Sequence, residues 1–171
     1  MLKKYRDGFT LIEILVVIAI LSIIAVVVFV ALNPTQRFAD ARDSRRVNDV
    51  SNLLTAIHEC IVDSDGDVSA CTGGITAGQT YLVAFDPDGA GVGVPPVTGC
   101  DDVCTGVTDD NNCVAMDTAT TLETYLKTLP VDPQGTRAAS GHTEYTVNID
   151  ANNLVTIDAC NAEGAAVSAS R

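Results

Sequence analysis

One carboxylate interrupts the apolar N-terminal stretch of this 171-residue sequence. Glu13 precedes 19 residues, 14–32, in which Ser22 is the single polar side chain. A carboxylate near the bilayer interior costs a few kcal/mol unless it reaches the headgroups, is neutralised or pairs with a cation. Glu13 is therefore either a border residue near the headgroups or one half of an ion pair whose cation lies at membrane depth.

A cut in the chain would supply that cation. Cleavage after Gly8 creates a new α-amino group on Phe9, about one helical turn from Glu13. This amine can pair with Glu13 of the same chain or with Glu13 of a neighbouring subunit. The second arrangement would link burial of the charge to assembly of the subunits.

The apolar run has the length of a membrane span. As a helix, residues 14–32 cover about 28 Å, close to the ~30 Å hydrocarbon core of a bilayer. Lys3, Lys4 and Arg6 precede the run and predict a cytoplasmic N-terminus. The far side, Ala31-Leu32-Asn33-Pro34, does not resemble the small-residue cleavage site of a secretory signal. A plain anchor explains the run but leaves Gly8 and Glu13 unexplained.

Taken together, these residues resemble the class III signal of type IV pilins and pseudopilins, in the segment Lys3-Lys4-Tyr5-Arg6-Asp7-Gly8-Phe9-Thr10-Leu11-Ile12-Glu13. In that family a prepilin peptidase cleaves after the glycine that matches Gly8 and N-methylates the residue that matches Phe9. The glutamate that matches Glu13 supports docking of the subunit in the filament. The resemblance implies a structural subunit, not an enzyme, that assembles with identical or related pilins on an inner-membrane platform driven by a separate ATPase.

Six cysteines follow the apolar run: Cys60, Cys71, Cys100, Cys104, Cys113 and Cys160. All lie on the translocated side of the membrane, where disulfides form and persist. The even number predicts up to three bridges, and the sequence leaves their pairing open. The spacing Cys100-x3-Cys104-x8-Cys113 also allows a zinc site, but no histidine is near in the sequence. We therefore predict disulfides and no metal at these cysteines.

Alternating carboxylates in Asp63-Ser64-Asp65-Gly66-Asp67 could bind calcium through oxygen ligands. The glycine is not at the EF-hand position, and an acidic turn explains the segment as well. The same holds for the acidic residues within 86–89 and 101–102. We therefore predict no cofactor, with calcium at Asp63, Asp65 and Asp67 as the alternative. His58 and His142 are interpreted as an edge residue and a loop residue.

Periodicity predicts an α+β fold in which a long N-terminal helix packs on a small antiparallel sheet. Pro34 either breaks this helix or bends it. The second half of the helix shows an apolar face of Val47, Val50, Leu54, Ile57 and Ile61. Charged residues, Arg46 among them, are placed on other faces, with Arg45 and Asp49 as an ion pair. The head is predicted to hold a strand at 80–85, a helix at 118–129, and a hairpin of strands 144–149 and 154–159 around a turn at 150–153. Tyr145, Val147 and Ile149 share one face of this hairpin.

The segment Leu129-Pro130-Val131-Asp132-Pro133-Gln134-Gly135 resembles a step that precedes the last strands of major pseudopilins and some pilins. Gln134 stands where that step often has tryptophan, and the calcium loop that follows in those pseudopilins has no clear match here. Two prolines also explain a sharp turn without any such relation.

Charge argues against direct nucleic-acid binding by the head. The net charge is −12, and 16 acidic residues stand against three basic ones after Cys60, so phosphate backbones are repelled.

The predicted regions are a cleaved leader at 1–8, a membrane and filament-core helix at 9–32, an amphipathic helix at 33–62 and a disulfide-containing head at 63–171.

Three functions remain open at this point. A pilus subunit is favoured over a pseudopilin of a type II secretion or competence system because the head is long and cysteine-rich. A membrane-anchored enzyme or calcium-binding module is the remote alternative. The expected location is a single pass in the cytoplasmic membrane with an extracytoplasmic head, followed by an extracellular pilus or a periplasmic pseudopilus.

Overall fold

A computed structural model describes residues 8–85, 100, 104–108, 112–116, 121–135 and 141–171. The basic leader residues, the acidic groups within 86–89 and 101–102, and the cap position of the helix predicted at 118 lie outside these ranges. The chain divides into two compact units, Met1–Phe38 and Ala39–Arg171.

The first unit is dominated by helix α1, Leu11–Leu32. Thr10 is its N-cap in an extended conformation, and Asn33 ends it in the left-handed region with φ of 41°. Asparagine tolerates this conformation better than most residues because its short polar side chain bonds locally. No residue of α1 is buried, so its apolar side chains are exposed.

Helix α2, Pro34–Asp63, begins one residue later. Proline suits the first position of a helix because the amide hydrogen it lacks would have no intrahelical partner there. The predicted N-terminal helix is therefore present from Leu11 to Asp63 with one interruption at Asn33. Of the two interpretations of Pro34, the bent helix is the one found, because Leu11–Asp63 is interrupted only at Asn33.

The buried stripe of α2 differs from the predicted one. Val50, Leu54 and Ile57 are buried as expected, but Val47 is half exposed. Arg46, which we placed on a polar face, is completely buried. It lies four residues before Val50, in the same helical stripe, so periodicity alone would have placed it inward.

Five strands form one mixed sheet in the order β2-β1-β3-β4-β5. Their bounds are β1 Thr80–Ala84, β2 Cys113–Ala115, β3 His142–Ile149, β4 Val155–Ala159 and β5 Ser168–Ser170. The α+β class with a helix and sheet head is confirmed. The sheet is not wholly antiparallel, because β1 and β2 run parallel, and the short strands β2 and β5 were not predicted.

The predicted hairpin is confirmed, because β3 and β4 pair in antiparallel orientation. The Asp150 carboxylate accepts hydrogen bonds from the amides of Asn152 and Leu154, and Asn153 takes a positive φ of 63°. Both features are typical of tight turns built from Asp and Asn. Tyr145 and Val147 are buried in the main core with Val50 of α2.

Over the described residues 121–129, the helix predicted at 118–129 is present as one turn only and is wrong after it. A 3-10 helix spans Thr121–Thr124, and its last bonds run from the Tyr125 and Leu126 amides to the Leu122 carbonyl. Leu122 and Leu129 are buried. A helix of this length is marginal by itself, so packing of the two leucines decides the local conformation.

Alternate residues of β1 and β2 point to opposite faces of the sheet. On one face, Val83 and Val114 join the main core beneath α2. On the other, Leu82, Ala84 and Cys113 form a second, smaller cluster. The remaining buried members of the second cluster are Cys100, Cys104 and Val107, with Cys160 packed against them.

Candidate functional site

The predicted processing site is open to other molecules. Gly8, Phe9 and Thr10 precede the first helical turn and are exposed, Phe9 by 80%. A Cβ atom built on Gly8 would have no atom within 4 Å. Within the described residues, nothing in the chain itself therefore requires glycine at this position.

Glu13 occupies the third residue of α1. Its amide is shared between the Thr10 hydroxyl oxygen at 3.3 Å and the Thr10 carbonyl oxygen at 3.1 Å, so the N-cap helps to satisfy an amide at the helix start. An acidic side chain here also interacts favourably with the helix dipole. Its carboxylate is exposed, and the ion pairs among the described residues do not include it. The Glu13 side chain can therefore act in two ways, by stabilising the helix start or by pairing with an amine.

Helix α1 carries the one stretch among the described residues that is long and apolar enough to cross a membrane. None of that stretch is buried against protein. Ser22, the polar exception, donates its hydroxyl to the Ala19 carbonyl at 2.8 Å. The polar group is therefore satisfied within the helix, as an apolar environment requires.

The strongest electrostatic feature of the head centres on Arg46. Its Nε and Nη2 atoms donate to the two carboxylate oxygens of Asp132 at 2.6 and 2.9 Å. Its Nη1 atom donates to Asp43 at 2.7 Å and to Glu163 at 3.1 Å. The Arg46 and Asp132 side chains are both completely buried. This bidentate geometry is the strongest form of ion pairing between arginine and a carboxylate.

Three parts of the sequence meet at this Arg46 cluster, which we define as Arg42, Asp43, Arg46, Asp132 and Glu163. The hydrogen bond to Asp132 raises the pKa of Arg46. Donation from Arg42 lowers the pKa of Glu163 to about 2. The backbone amide of Glu163 and the Arg46 guanidinium lower the pKa of Asp43. Arg42, Asp43, Arg46 and Glu163 are thereby held in their charged forms at neutral pH.

The cluster gives the Leu-Pro-x-Asp-Pro-x-Gly step a structural role. Asp132 is its acidic residue, and the Gln134 amide donates to the same carboxylate at 2.8 Å. A Cβ on Gly135 would lie 2.9 Å from the Asp132 carbonyl oxygen, closer than real Cβ contacts, so the turn excludes larger residues. Two prolines alone do not account for these two residues.

Sequence reasoning missed the Arg46 cluster, although two signals pointed to it. Arg46 falls in the apolar stripe of α2, and Asp132 stands in a motif that we had already noted. Glu163 gave no signal of its own. Only tertiary structure places it beside residues about 120 positions earlier in the chain.

All six cysteines are paired, as predicted. The bonds are Cys60–Cys71, Cys100–Cys113 and Cys104–Cys160. The first joins the end of α2 to helix α3, Val68–Thr72, in the main core. The other two lie together in the second cluster, where they staple the segment around Cys104 to the sheet.

Two of the three calcium candidates, Asp63 and Asp67, have other partners. Asp63 accepts a hydrogen bond from the Tyr125 hydroxyl at 2.6 Å. Asp67 caps α3 by accepting from the amides of Ser69 and Ala70. Asp65 and Gly66 take positive φ values of 55° and 90°, as expected of the turn interpretation of this segment.

One histidine lies elsewhere than expected. His142 is the first residue of β3 and is 3% exposed, which corrects its interpretation as a loop residue. Its Nε2 atom lies 4.0 Å from the Cys100 sulfur. Cys100 therefore has a histidine neighbour in space although none is near it in the sequence, because β3 returns to the same cluster. His58 is partly exposed on α2, as expected.

Comparison with known proteins identifies the N-terminus. Residues 3–29 match the family model described as the prokaryotic N-terminal methylation motif. No curated protein and no solved structure matches the chain. The matched motif belongs to structural, pilin-type proteins. It agrees with the exposed apolar helix, the α+β head and the disulfides. The N-terminal motif and these features support a relation to type IV pilins and pseudopilins.

Proposed function

We propose that the chain is a structural subunit of a type IV pilus. It is made as a prepilin, cleaved between Gly8 and Phe9, and N-methylated on the new amine of Phe9. The subunits polymerise through helix α1. Before assembly the same helix anchors the subunit in the cytoplasmic membrane, with the head on the far side.

The single observation that carries this proposal is the start of α1. Its carboxylate, Glu13, has no ion-pair partner within the described residues, and it begins a helix whose apolar surface is uncovered. A charge in that setting favours a partner from another subunit, since pairing would offset the cost of burying it. The new amine on Phe9 of an incoming subunit has the required charge.

The partners follow from the same mechanism. A prepilin peptidase processes the N-terminus, identical or related subunits form the helical polymer, and an inner-membrane platform with a separate ATPase supplies the work. The subunit itself carries out no catalysis. The acidic head is not expected to bind nucleic acid directly.

Mass spectrometry of the mature chain tests processing. We expect a mass that begins at N-methylated Phe9 in a host with an active prepilin peptidase. A chain that keeps Met1 in that host would contradict the proposal. It would favour a permanently anchored enzyme or calcium-binding module.

Glu13 variants test assembly and separate pairing from helix capping. We expect Glu13→Gln and Glu13→Ala to be processed normally and to enter sheared filaments at least about 10-fold less, the equivalent of ~1.4 kcal/mol. Glutamine can replace glutamate in a capping interaction but cannot pair with a cation. Normal assembly of Glu13→Gln with failure of Glu13→Ala would assign Glu13 to capping and contradict the ion pair.

A pseudopilin of a secretion or competence system is the alternative within the superfamily. The length and cysteine content of the head favour the pilus. Quantifying the subunit in sheared surface filaments decides between them. A major pilus subunit should dominate that fraction, whereas a pseudopilin should stay in the cell envelope.

A further inference from the structure

The second cluster brings three metal-binding side chains together on the face of the sheet opposite α2. The sulfur atoms of Cys100 and Cys113 and a ring nitrogen of His142 lie within 4.8 Å of one another. Cys113 belongs to β2 and His142 to β3, with β1 between them. In the sheet register, Ala84 pairs with both Ala115 and His142, which fixes the two strands around the cluster.

This donor set matches zinc chemistry. Zinc prefers sulfur and imidazole ligands in a tetrahedron, with Zn–S near 2.3 Å and Zn–N near 2.0 Å. Those bond lengths place neighbouring ligand atoms roughly 3.5 Å apart. The Cys100 sulfur and His142 Nε2 atoms are already 4.0 Å apart, so this pair needs a small adjustment. The Cys100 and Cys113 sulfurs are joined in a disulfide and must separate to this spacing once the disulfide is reduced.

Burial adds an electrostatic argument. Cys100 is 0% exposed, His142 is 3% exposed and Cys113 is 9% exposed. An isolated charge would be costly in such a position. One Zn²⁺ with two thiolates and a neutral imidazole has no net charge, so this complex suits a buried cluster.

We propose that Cys100, Cys113 and His142 form a redox-gated zinc site. In the oxidised chain the Cys100–Cys113 disulfide closes the cluster and excludes the metal. A dithiol reductant transfers two electrons to this disulfide. The products are two protein thiols and the cyclic disulfide of the reductant. Zn²⁺ then replaces the two thiol protons, which are released, and His142 supplies the third protein ligand.

The disulfide in the main core provides a natural contrast. The sulfur atoms of Cys60 and Cys71 lie 3.9 and 3.6 Å from the Ser64 hydroxyl oxygen. Among the described residues, the cluster of Cys100, Cys113 and His142 is the one group of three or more such side chains with metal-binding spacing. The Cys60–Cys71 pair is therefore the matched control.

The test uses the full chain in detergent micelles, with Co²⁺ as a coloured substitute for Zn²⁺. The chain is reduced with a dithiol, which is then removed without air, and is titrated with Co²⁺. We expect a sulfur-to-cobalt charge-transfer band that Zn²⁺ abolishes. The oxidised chain should give no band. No band from the reduced chain, or equal bands from both forms, would overturn the proposal.

Variants assign the ligands. We expect His142→Ala to weaken Co²⁺ binding at least about 10-fold, as loss of groups that support a metal site does. His58→Ala and the double variant Cys60→Ser/Cys71→Ser should bind as the unaltered chain does. If His142→Ala bound Co²⁺ normally, or if the control double variant lost the band, the assignment would be wrong.

Reduction can also unfold the head. The near-ultraviolet circular dichroism of the tyrosines, of which Tyr145 is fully buried, reports this. Metal binding and folding are coupled when the ligands come from distant parts of a chain. If the reduced chain is unfolded, Zn²⁺ should therefore restore the tyrosine signal. Failure of Zn²⁺ to restore it in the unaltered chain would refute the site.

Discussion

Glu13 and Arg46 are both charged residues within apolar helical stripes, and the chain treats them in opposite ways. Arg46 is fully buried, and three carboxylates of the same chain surround it. Glu13 is exposed, and the described ion pairs do not involve it. A charge whose partners lie within the chain fixes the fold of the head. Under the proposed function, a charge without such a partner, on an uncovered apolar helix, is paired by another subunit.

The helix surfaces around the two charges reinforce this contrast. The side of α2 that carries Arg46 is packed against the sheet through Val50, Leu53 and Ile57. The surface of α1 is uncovered throughout. Under the proposed function, the first helix exchanges one apolar environment for another, lipid for neighbouring subunits. By contrast, α2 cannot leave the head without exposing its core.

The largest expected effect follows removal of Arg46. Arg46→Met leaves the buried Asp132 carboxylate without its bidentate partner, and we expect the free energy of unfolding to fall by about 3–5 kcal/mol. Arg45→Met is the matched control, because Arg45 is largely exposed and its nearest Asp49 oxygen is 3.7 Å away. Its effect should stay below about 1 kcal/mol. Urea unfolding of the purified chain measures both.

A double variant sharpens this test. Arg46→Met with Asp132→Leu removes the stranded buried charge, so it should cost less than the sum of the two single variants. Equal costs for Arg46→Met and Arg45→Met would show that the buried cluster does not stabilise the head, and the contrast with Glu13 would fail.

Acid should weaken the head through the same cluster. The pKa of Glu163 is lowered to about 2 in the folded chain, and that of Asp43 is lowered as well. A lowered folded pKa gives stability that is complete above the unfolded value, about 4.3 for glutamate, and is lost as the pH falls towards the folded value. We therefore expect the free energy of unfolding to decrease between about pH 4.5 and pH 2.

Glu163→Gln should flatten this pH dependence, which equilibrium unfolding at a series of pH values would reveal. Glu59→Gln, a change at an exposed carboxylate of α2 outside the cluster, should leave the curve unaltered. A Glu163→Gln curve parallel to that of the unaltered chain would remove Glu163 from the explanation.

A smaller effect is expected at the start of α1. Thr10→Ala removes the hydroxyl that accepts from the Glu13 amide and should destabilise the first turn by about 1 kcal/mol. Hydrogen exchange of the Glu13 amide in micelles should become roughly 5-fold faster. Thr35→Ala, near the start of α2, should leave this amide unchanged. If exchange did not change in Thr10→Ala, the cap would not support the position of Glu13.

The smallest effect is expected from a calcium chelator. Asp63 and Asp67 already have protein partners, so chelation should barely change the thermal unfolding midpoint of the oxidised chain. Thermal denaturation followed by circular dichroism measures this. A shift of about 5 °C or more, near 1 kcal/mol for a domain of this size, would show that these carboxylates hold a metal.

Local patterns in the sequence predicted the features that depend on neighbouring residues. The apolar run of α1, the hairpin around Asp150 and the strand at Thr80 all follow from short-range periodicity and turn chemistry. The helix predicted at 118–129 failed because so short a segment is governed by packing of Leu122 and Leu129. Strands β2 and β5 span three residues each, too few to establish a period.

By itself, the sequence determined the N-terminal signal and the membrane-compatible helix, because Gly8, Phe9, Glu13 and the apolar run are contiguous. Tertiary structure alone decided the pairing of the cysteines, the arrival of His142 beside Cys100, and the meeting of Arg46 with Asp132 and Glu163. These contacts join residues that are far apart in the chain, and no local rule specifies which distant groups will meet. Their geometry is fixed only when α2 and the sheet pack together and bury them.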